Sequence, residues 1–119
     1  MQRPVVRGDA MTHGATVRLN IDLGELPDEP RELYALATVV NVACGGHAGD
    51  AATMLGACSL ALAAGASIAA HPSYVDRASF GRVSPAEPVA PDAMEQAVFE
   101  QCAALARAAR EASPRATSW

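Results

Sequence analysis

Three short apolar runs, each ending in a cluster of polar residues, constrain this chain more than any other feature. Residues 17–23 run into NIDLGE (20–25), residues 38–44 into NVACGGHAGD (41–50), and residues 67–70 into AHPSYVDRASFGR (70–82). Between the second and third lies an Ala-rich stretch with helical spacing, in which Met54, Cys58 and Leu62 recur every fourth residue. Asp50 stands where its N-cap belongs and Gly65 where it stops. Leu55 and Leu60 widen the apolar face, so this helix is expected to be sandwiched rather than solvated on one side. Strand, helix, strand, helix in this order predicts parallel βα units with right-handed crossovers. Such sheets build their sites at the carboxyl ends of the strands, which is where all three clusters fall.

The connecting segments read in the same way. ELPDEP (25–30) is a turn, and residues 31–37 make a short helical turn. After a Pro-rich connection over 84–90, Pro91 takes the first position of a helix and Asp92 follows it. Met94, Val98, Cys102, Leu105 and Ala109 then form one stripe, until Ser113-Pro114 ends the helix. Residues 1–16 are expected to be a flexible leader, with Met11 an alternative start. Residues 17–112 form the folded part, and 113–119 a tail where the domain is cut short.

Composition narrows the function. Hydrophobic residues make up 50% and charged residues 18%, with aromatics at 4%, so a globular core must be aliphatic and Ala-rich. A net charge of -4 provides no broad basic surface, which argues against nucleic acid as a partner. All nine basic residues are Arg. Without Lys, neither a GxxxxGK[ST] phosphate loop nor a Schiff-base amine is available in this chain. Three Cys, at 44, 58 and 102, suit a reducing cytoplasm. No run approaches the ~18 apolar residues of a membrane span, and the first residues lack a signal peptide's apolar core.

Strand alternation sorts the candidate site residues. Asn20 and Asp22 lie opposite Leu19, Ile21 and Leu23, and Asn41 lies on the corresponding inward parity, whereas Cys44 falls on the helix-facing side as a core filler. A buried carboxylate at Asp22 needs a partner; the competing reading is an Asx turn with Glu25 solvated in the loop beyond. His47 sits in a Gly-flanked loop where imidazole serves as a base or a ligand. Cys44-x-x-His47 is half of a zinc pattern with no second pair, so a structural zinc is discounted. Asp50 has its role as a helix cap. His71 shares parity with the small Ser67 and Ala69, which leave room beside the imidazole. Asp76, Arg77 and Arg82 follow it: two guanidiniums can clamp a carboxylate or phosphate, or else Arg77 and Asp76 form a solvent pair with Phe80 as a loop anchor.

Taken together, NVACGGHAGD and HPSYVDRxxFGR resemble the LamB/YcsF family, the A component of the bacterial ATP-dependent 5-oxoprolinase, from about Leu19 to near Ala112. The match departs at Ala69, where the family usually has Gly, and the chain stops before the family's KPHG motif. The resemblance implies a seven-stranded (β/α) barrel related to the polysaccharide deacetylases, of which this chain holds the first three βα units. It further implies cleavage of 5-oxo-L-proline to L-glutamate together with subunits B and C, with ATP and Mg2+ as co-substrate and no resident cofactor. Under it, Asp22, His47 and His71 are catalytic, while Asn20, Glu25, Asn41, Asp50, Asp76, Arg77 and Arg82 bind substrate. ATP is then left to a partner or an interface. Two alternatives stand beside this: a metal-dependent hydrolase with the ion on Asp22, His47 and His71, and an inactive truncated piece that at most docks to partners.

Overall fold

A computed structural model of the chain describes residues 17–113. The expected leader and residues 114–119 of the expected tail lie outside them. Strands β1 (Asn20–Leu23), β2 (Val39–Ala43) and β3 (Ser67–His71) alternate with helices α1 (Glu32–Leu36), α2 (Ala51–Ala64) and α3 (Pro91–Ala112). Among the described residues, all strand pairing is parallel in the order β1-β2-β3, with Asp22 opposite Asn41 and Ala43 opposite His71. The expected α/β architecture of parallel βα units is therefore present as an open three-stranded sheet.

β-branched residues place β2 at the centre, since Val40 and Val42 are fully enclosed between the flanking strands and the helices. Among the described residues, Leu23 and Cys58 are the other large side chains buried as fully, and Tyr34, Met54, Ala57, Ala61, Leu105 and Ala108 belong to the cluster around them. The opposite face of the sheet carries Asn20, Asp22 and Asn41, as the alternation requires.

Helix α2 starts and stops where the sequence says it should. The Asp50 carboxylate accepts the Thr53 N–H at 2.9 Å, and the Asp50 N–H donates to Thr53 Oγ1 at 2.7 Å, a reciprocal box that satisfies two donors at the helix start. Gly65 ends the helix in the left-handed region at φ 78°, which costs a residue without Cβ nothing. The expected sandwiching holds on one side only. Met54, Ala57, Cys58 and Ala61 are buried, whereas Ala52, Gly56, Ser59 and Leu62 remain exposed, because the sheet and α3 together cover less than the full circumference.

Helix α3 also departs from its expected stripe. Pro91 does open it, and Leu105 and Ala108 pack into the core, but Met94, Val98 and Phe99 are exposed. The first turns of α3 face the 72–86 connection instead, across an apolar groove of about 900 Å³ that includes Val75, Val83 and Val89. Strand β3 runs one residue further than the apolar pattern, to His71, because its ladder with β2 continues to Ala43. No helix among the described residues is long and apolar enough to cross a membrane.

Burial makes two of the three thiols inert. It pushes the Cys58 thiol up to about 11 and raises that of Cys44, whose Sγ lies 3.1 Å from the Val42 carbonyl. A thiol reagent at neutral pH is expected to modify the half-buried Cys102 in the native protein, and Cys44 and Cys58 only after unfolding. Equal native reactivity of all three would contradict this core.

Tyr34 reports on the same core at high pH. Burial first, then the Glu29 carboxylate and Cys58, hold its phenol neutral and raise its pKa to about 12 from 10.0. A pKa raised by folding contributes stability below the unfolded value that is lost as the pH rises through the folded one. Phenolate absorbance from Tyr34 should therefore appear between pH 10 and about 12 and coincide with unfolding. Loss of that coincident step in Tyr34→Phe checks the assignment.

Candidate functional site

The carboxyl ends of the three strands deliver their polar side chains to one place. On the open face of the sheet, Asn41 Nδ2 donates to Asn20 Oδ1 and, at 3.0 Å, to Asp22 Oδ1, tying β1 to β2 by side chains as well as by backbone. Just beyond β1, the chain turns at Gly24 and presents Glu25. The Glu29 carboxylate holds this turn, accepting from the backbone N–H groups of Gly24 at 2.8 Å, Glu25 at 2.9 Å and Leu26 at 3.1 Å.

Beyond β2, the glycine-rich loop folds back on itself, with Gly45 N–H donating to Ala48 O at 2.8 Å. Gly45 and Gly49 take left-handed φ values of 100° and 88° that other residues rarely adopt. The loop drives His47 inward until its side chain is only 4% exposed. There His47 Nε2 lies 2.7 Å from Glu25 Oε2, and donates to that carboxylate when Nε2 carries the proton. His47 Nδ1 is buried with no hydrogen-bond partner among the described residues.

His71, last residue of β3, completes the cluster. Its Nδ1 lies 3.4 Å from the same Glu25 oxygen and 3.9 Å from Asp22 Oδ1, and its ring centroid is 4.7 Å from that of His47. With about a third of its side chain exposed, His71 faces the opening while His47 is sealed behind it. Glu25, His47 and His71 thus offer one ligand atom each, all within 4.8 Å of one another.

The remaining loop is a support. Phe80 stands edge-on to His47 at 5.1 Å and adopts φ 59°, a left-handed conformation that costs a bulky residue about 1–3 kcal/mol. A Cβ on Gly81 would collide with Ser73 Oγ and lie 2.9 Å from His47 Cβ, so glycine is required there for the loop to close on the imidazole. Gln101 of α3 donates to Ser73 O at 2.8 Å and accepts Ser73 N–H at 3.0 Å. Gly46 passes so close beneath that a Cβ would lie 2.5 Å from Gln101 Oε1.

Several expectations need correction on this geometry. Glu25, expected among the substrate-binding groups, is the carboxylate between the two imidazoles; Asp22 stands at the margin and is about half exposed, so the expected ligand set of Asp22, His47 and His71 gives way to Glu25, His47 and His71. Strand register explains this, because Asp22 still lies within β1 and Glu25 lies past its end. Arg77 and Arg82 do not form a paired clamp. Arg77 Nη1 donates to Gly45 O at 3.1 Å and Gly49 O at 2.6 Å, bracing the His47 loop, while the Arg82 guanidinium lies 5.4 Å from the Phe80 ring centroid. Asp76 Oδ1 accepts the Ser79 N–H at 3.0 Å, and its Oδ2 is buried without a partner among the described residues. Asp50 spends its carboxylate on the α2 cap.

Sequence reading missed Glu29, Gln101 and Ser73. Glu29 carried a signal, since an acidic residue just after an Asp and before a proline in a turn is well placed to take loop N–H groups. Gln101 had none beyond being a polar residue adjoining the α3 stripe.

Two comparisons with known proteins bear on the fold and the family of this chain. A crystal structure of a lactam utilization protein from Thermus thermophilus matches with a TM-score of 0.73 and 34% sequence identity, over 80% of this chain and 40% of that one. This chain thus spans about 40% of that protein's length. The family model of LamB/YcsF matches residues 17–117. The glycine-bracketed histidine loop and the His71 loop both fall inside that match, and the chain belongs to the LamB/YcsF family.

Proposed function

We propose that this chain carries the lactam-opening site of the A component of the ATP-dependent 5-oxoprolinase, acting with subunits B and C. The observation that carries the reading is the Glu25 carboxylate placed 2.7 Å from a buried imidazole and 3.4 Å from an open one, in a LamB/YcsF chain similar to a lactam utilization protein.

A five-membered lactam resists water because its amide is resonance-stabilised, so its carbonyl oxygen must first be made a better acceptor of charge. Transfer of the ATP γ-phosphoryl group to that oxygen forms an O–P bond and releases ADP. Glu25 then takes a proton from water as the water oxygen attacks the ring carbon, with His47 holding the carboxylate in place. The C–N bond breaks, and His71, at the mouth of the site, is placed to supply the proton that the departing nitrogen needs. An acyl phosphate remains, and a second water opens it to glutamate and phosphate. Asn20, Asp22 and Asn41 form a polar row beside this site on the open sheet face, suited to the lactam N–H and the substrate's carboxylate. The 119 residues offer no phosphate loop of the Lys type, so in this reading the nucleotide is bound by the rest of a full-length chain, a partner protein or an interface. In this reading the site works within a barrel completed by the rest of a full-length chain, in the cytoplasm.

In a chain completed to the length of its relatives and assayed with subunits B and C, Glu25→Gln and His71→Asn should each lower 5-oxoproline-dependent ADP release by ~100-fold or more. Asp22→Asn should cost less than either, because its carboxylate is the more distant and the more solvated. Turnover of the Glu25 variant within about two-fold of the parent would remove this site from the mechanism.

A second reading is favoured by one specific observation. One carboxylate and two imidazoles with ligand atoms within 4.8 Å are a donor set that fits a divalent transition metal. Held by Glu25, His47 and His71, such an ion would supply Lewis-acid polarisation of a carbonyl and a more acidic bound water. Elemental analysis of the purified chain separates the two readings. About one equivalent of metal, lost in Glu25→Gln and His47→Gln, supports the hydrolase; no bound transition metal supports the ATP-dependent reaction.

A further inference from the structure

We propose that Glu29 is a positioning residue for the Glu25 carboxylate, an inference that rests on the reading of Glu25 as the group serving His47 and His71. Glu25 belongs to no helix or strand. It sits past the end of β1, where backbone torsions decide which way its side chain leaves the chain. Those torsions are held by one carboxylate. Both oxygens of Glu29 are engaged, Oε1 by Gly24 N–H at 2.8 Å and Oε2 by Glu25 N–H at 2.9 Å and Leu26 N–H at 3.1 Å. Gly24 at φ 77° turns the chain so that these three successive donors converge, the geometry of a backbone nest for an anion. The anion here is the chain's own.

Three charge-assisted hydrogen bonds to consecutive residues leave the turn little freedom, and the middle one is to the residue that bears the functional carboxylate. A neutral amide at position 29 cannot reproduce them, because its one oxygen accepts while its NH2 group opposes a backbone donor. An aspartate keeps the charge but falls short by a methylene. The geometry thus makes the orientation of Glu25 toward His47 depend on an acid that touches neither imidazole.

The test uses the 119-residue chain itself and the imidazole 15N NMR signals of His47, identified by their absence in His47→Gln. Glu25→Gln sets the reference for an imidazole that has lost its carboxylate. Glu29→Gln is expected to move the His47 Nε2 signal toward that reference while circular dichroism shows the fold retained, and Glu29→Asp to fall between Glu29→Gln and the parent. A parent-like His47 signal in Glu29→Gln, with Glu25→Gln shifted, overturns the positioning role and leaves the proposed site intact. An unshifted signal in Glu25→Gln overturns both, since the contact they share is then absent. If Glu29→Gln does not fold, Glu29→Asp decides, and a parent-like His47 signal there overturns the proposal. In the completed enzyme with subunits B and C, Glu29→Gln should lower kcat by about ten-fold or more with KM within about two-fold, the pattern of a misplaced reacting group rather than lost substrate binding.

Discussion

An imidazole enclosed on nearly every side must find a hydrogen-bond partner or be very costly to bury, and most of the polar architecture of this protein follows from giving His47 one. Glu25 is the partner. Bringing the two together requires the loop after β2 to turn sharply inward, which Gly45 and Gly49 allow through their left-handed torsions, and which Arg77 secures by donating to the carbonyls of both. It also requires the turn after β1 to aim outward along the sheet, which Glu29 secures. The second and third loops are then locked to one another by Asp76 N–H donating to Gly46 O at 2.9 Å, and to α3 by the paired hydrogen bonds of Gln101 with Ser73.

These supports divide the site into a fixed interior and an open rim. His47, edge-on to Phe80 and almost without access to solvent, is suited to holding Glu25 still. His71, Asp22, Asn20 and Asn41 lie where a small polar molecule can reach them. The Glu25 carboxylate lies within reach of both imidazoles, and His71 is the more exposed of the two. The strain held at Phe80 belongs to the interior. Its left-handed backbone is maintained by contacts with the ring it covers and by Gly81 beside it, so the loop cannot relax without releasing His47.

Arg77 is held by the Gly45 and Gly49 carbonyls, and this bears on binding. A guanidinium committed to two backbone carbonyls contributes a fixed positive charge near the loop rather than a mobile clamp. Under the proposed function, recognition of a substrate carboxylate would then fall to Arg82, to the amides of Asn20 and Asn41, or to chain outside the matched segment, which covers 40% of the Thermus protein.

Local chemistry made much of this legible in advance. Period-two alternation put Asn20, Asp22 and Asn41 on one face and Cys44 on the other, and the cap at Asp50, the stop at Gly65 and the start at Pro91 each follow from what one residue's backbone permits. These are properties of a few adjacent residues, so the sequence by itself determined the order of elements, the strand faces and the gathering of His47 and His71 at one end of the sheet. Distances across the sheet were not legible. Which carboxylate meets the imidazoles depends on where β1 ends relative to β2 and β3, and a shift of three residues along the chain separates Asp22 on the strand from Glu25 beyond it. The bracing roles of Arg77, Glu29 and Gln101 rest on contacts with distant backbone groups that have no periodicity to betray them. The exposure of Met94 and Val98 likewise depends on how far α3 overlaps its neighbours. Tertiary structure alone decided these, because each is set by the relative placement of whole elements, and the pattern within any one element is the same for every placement.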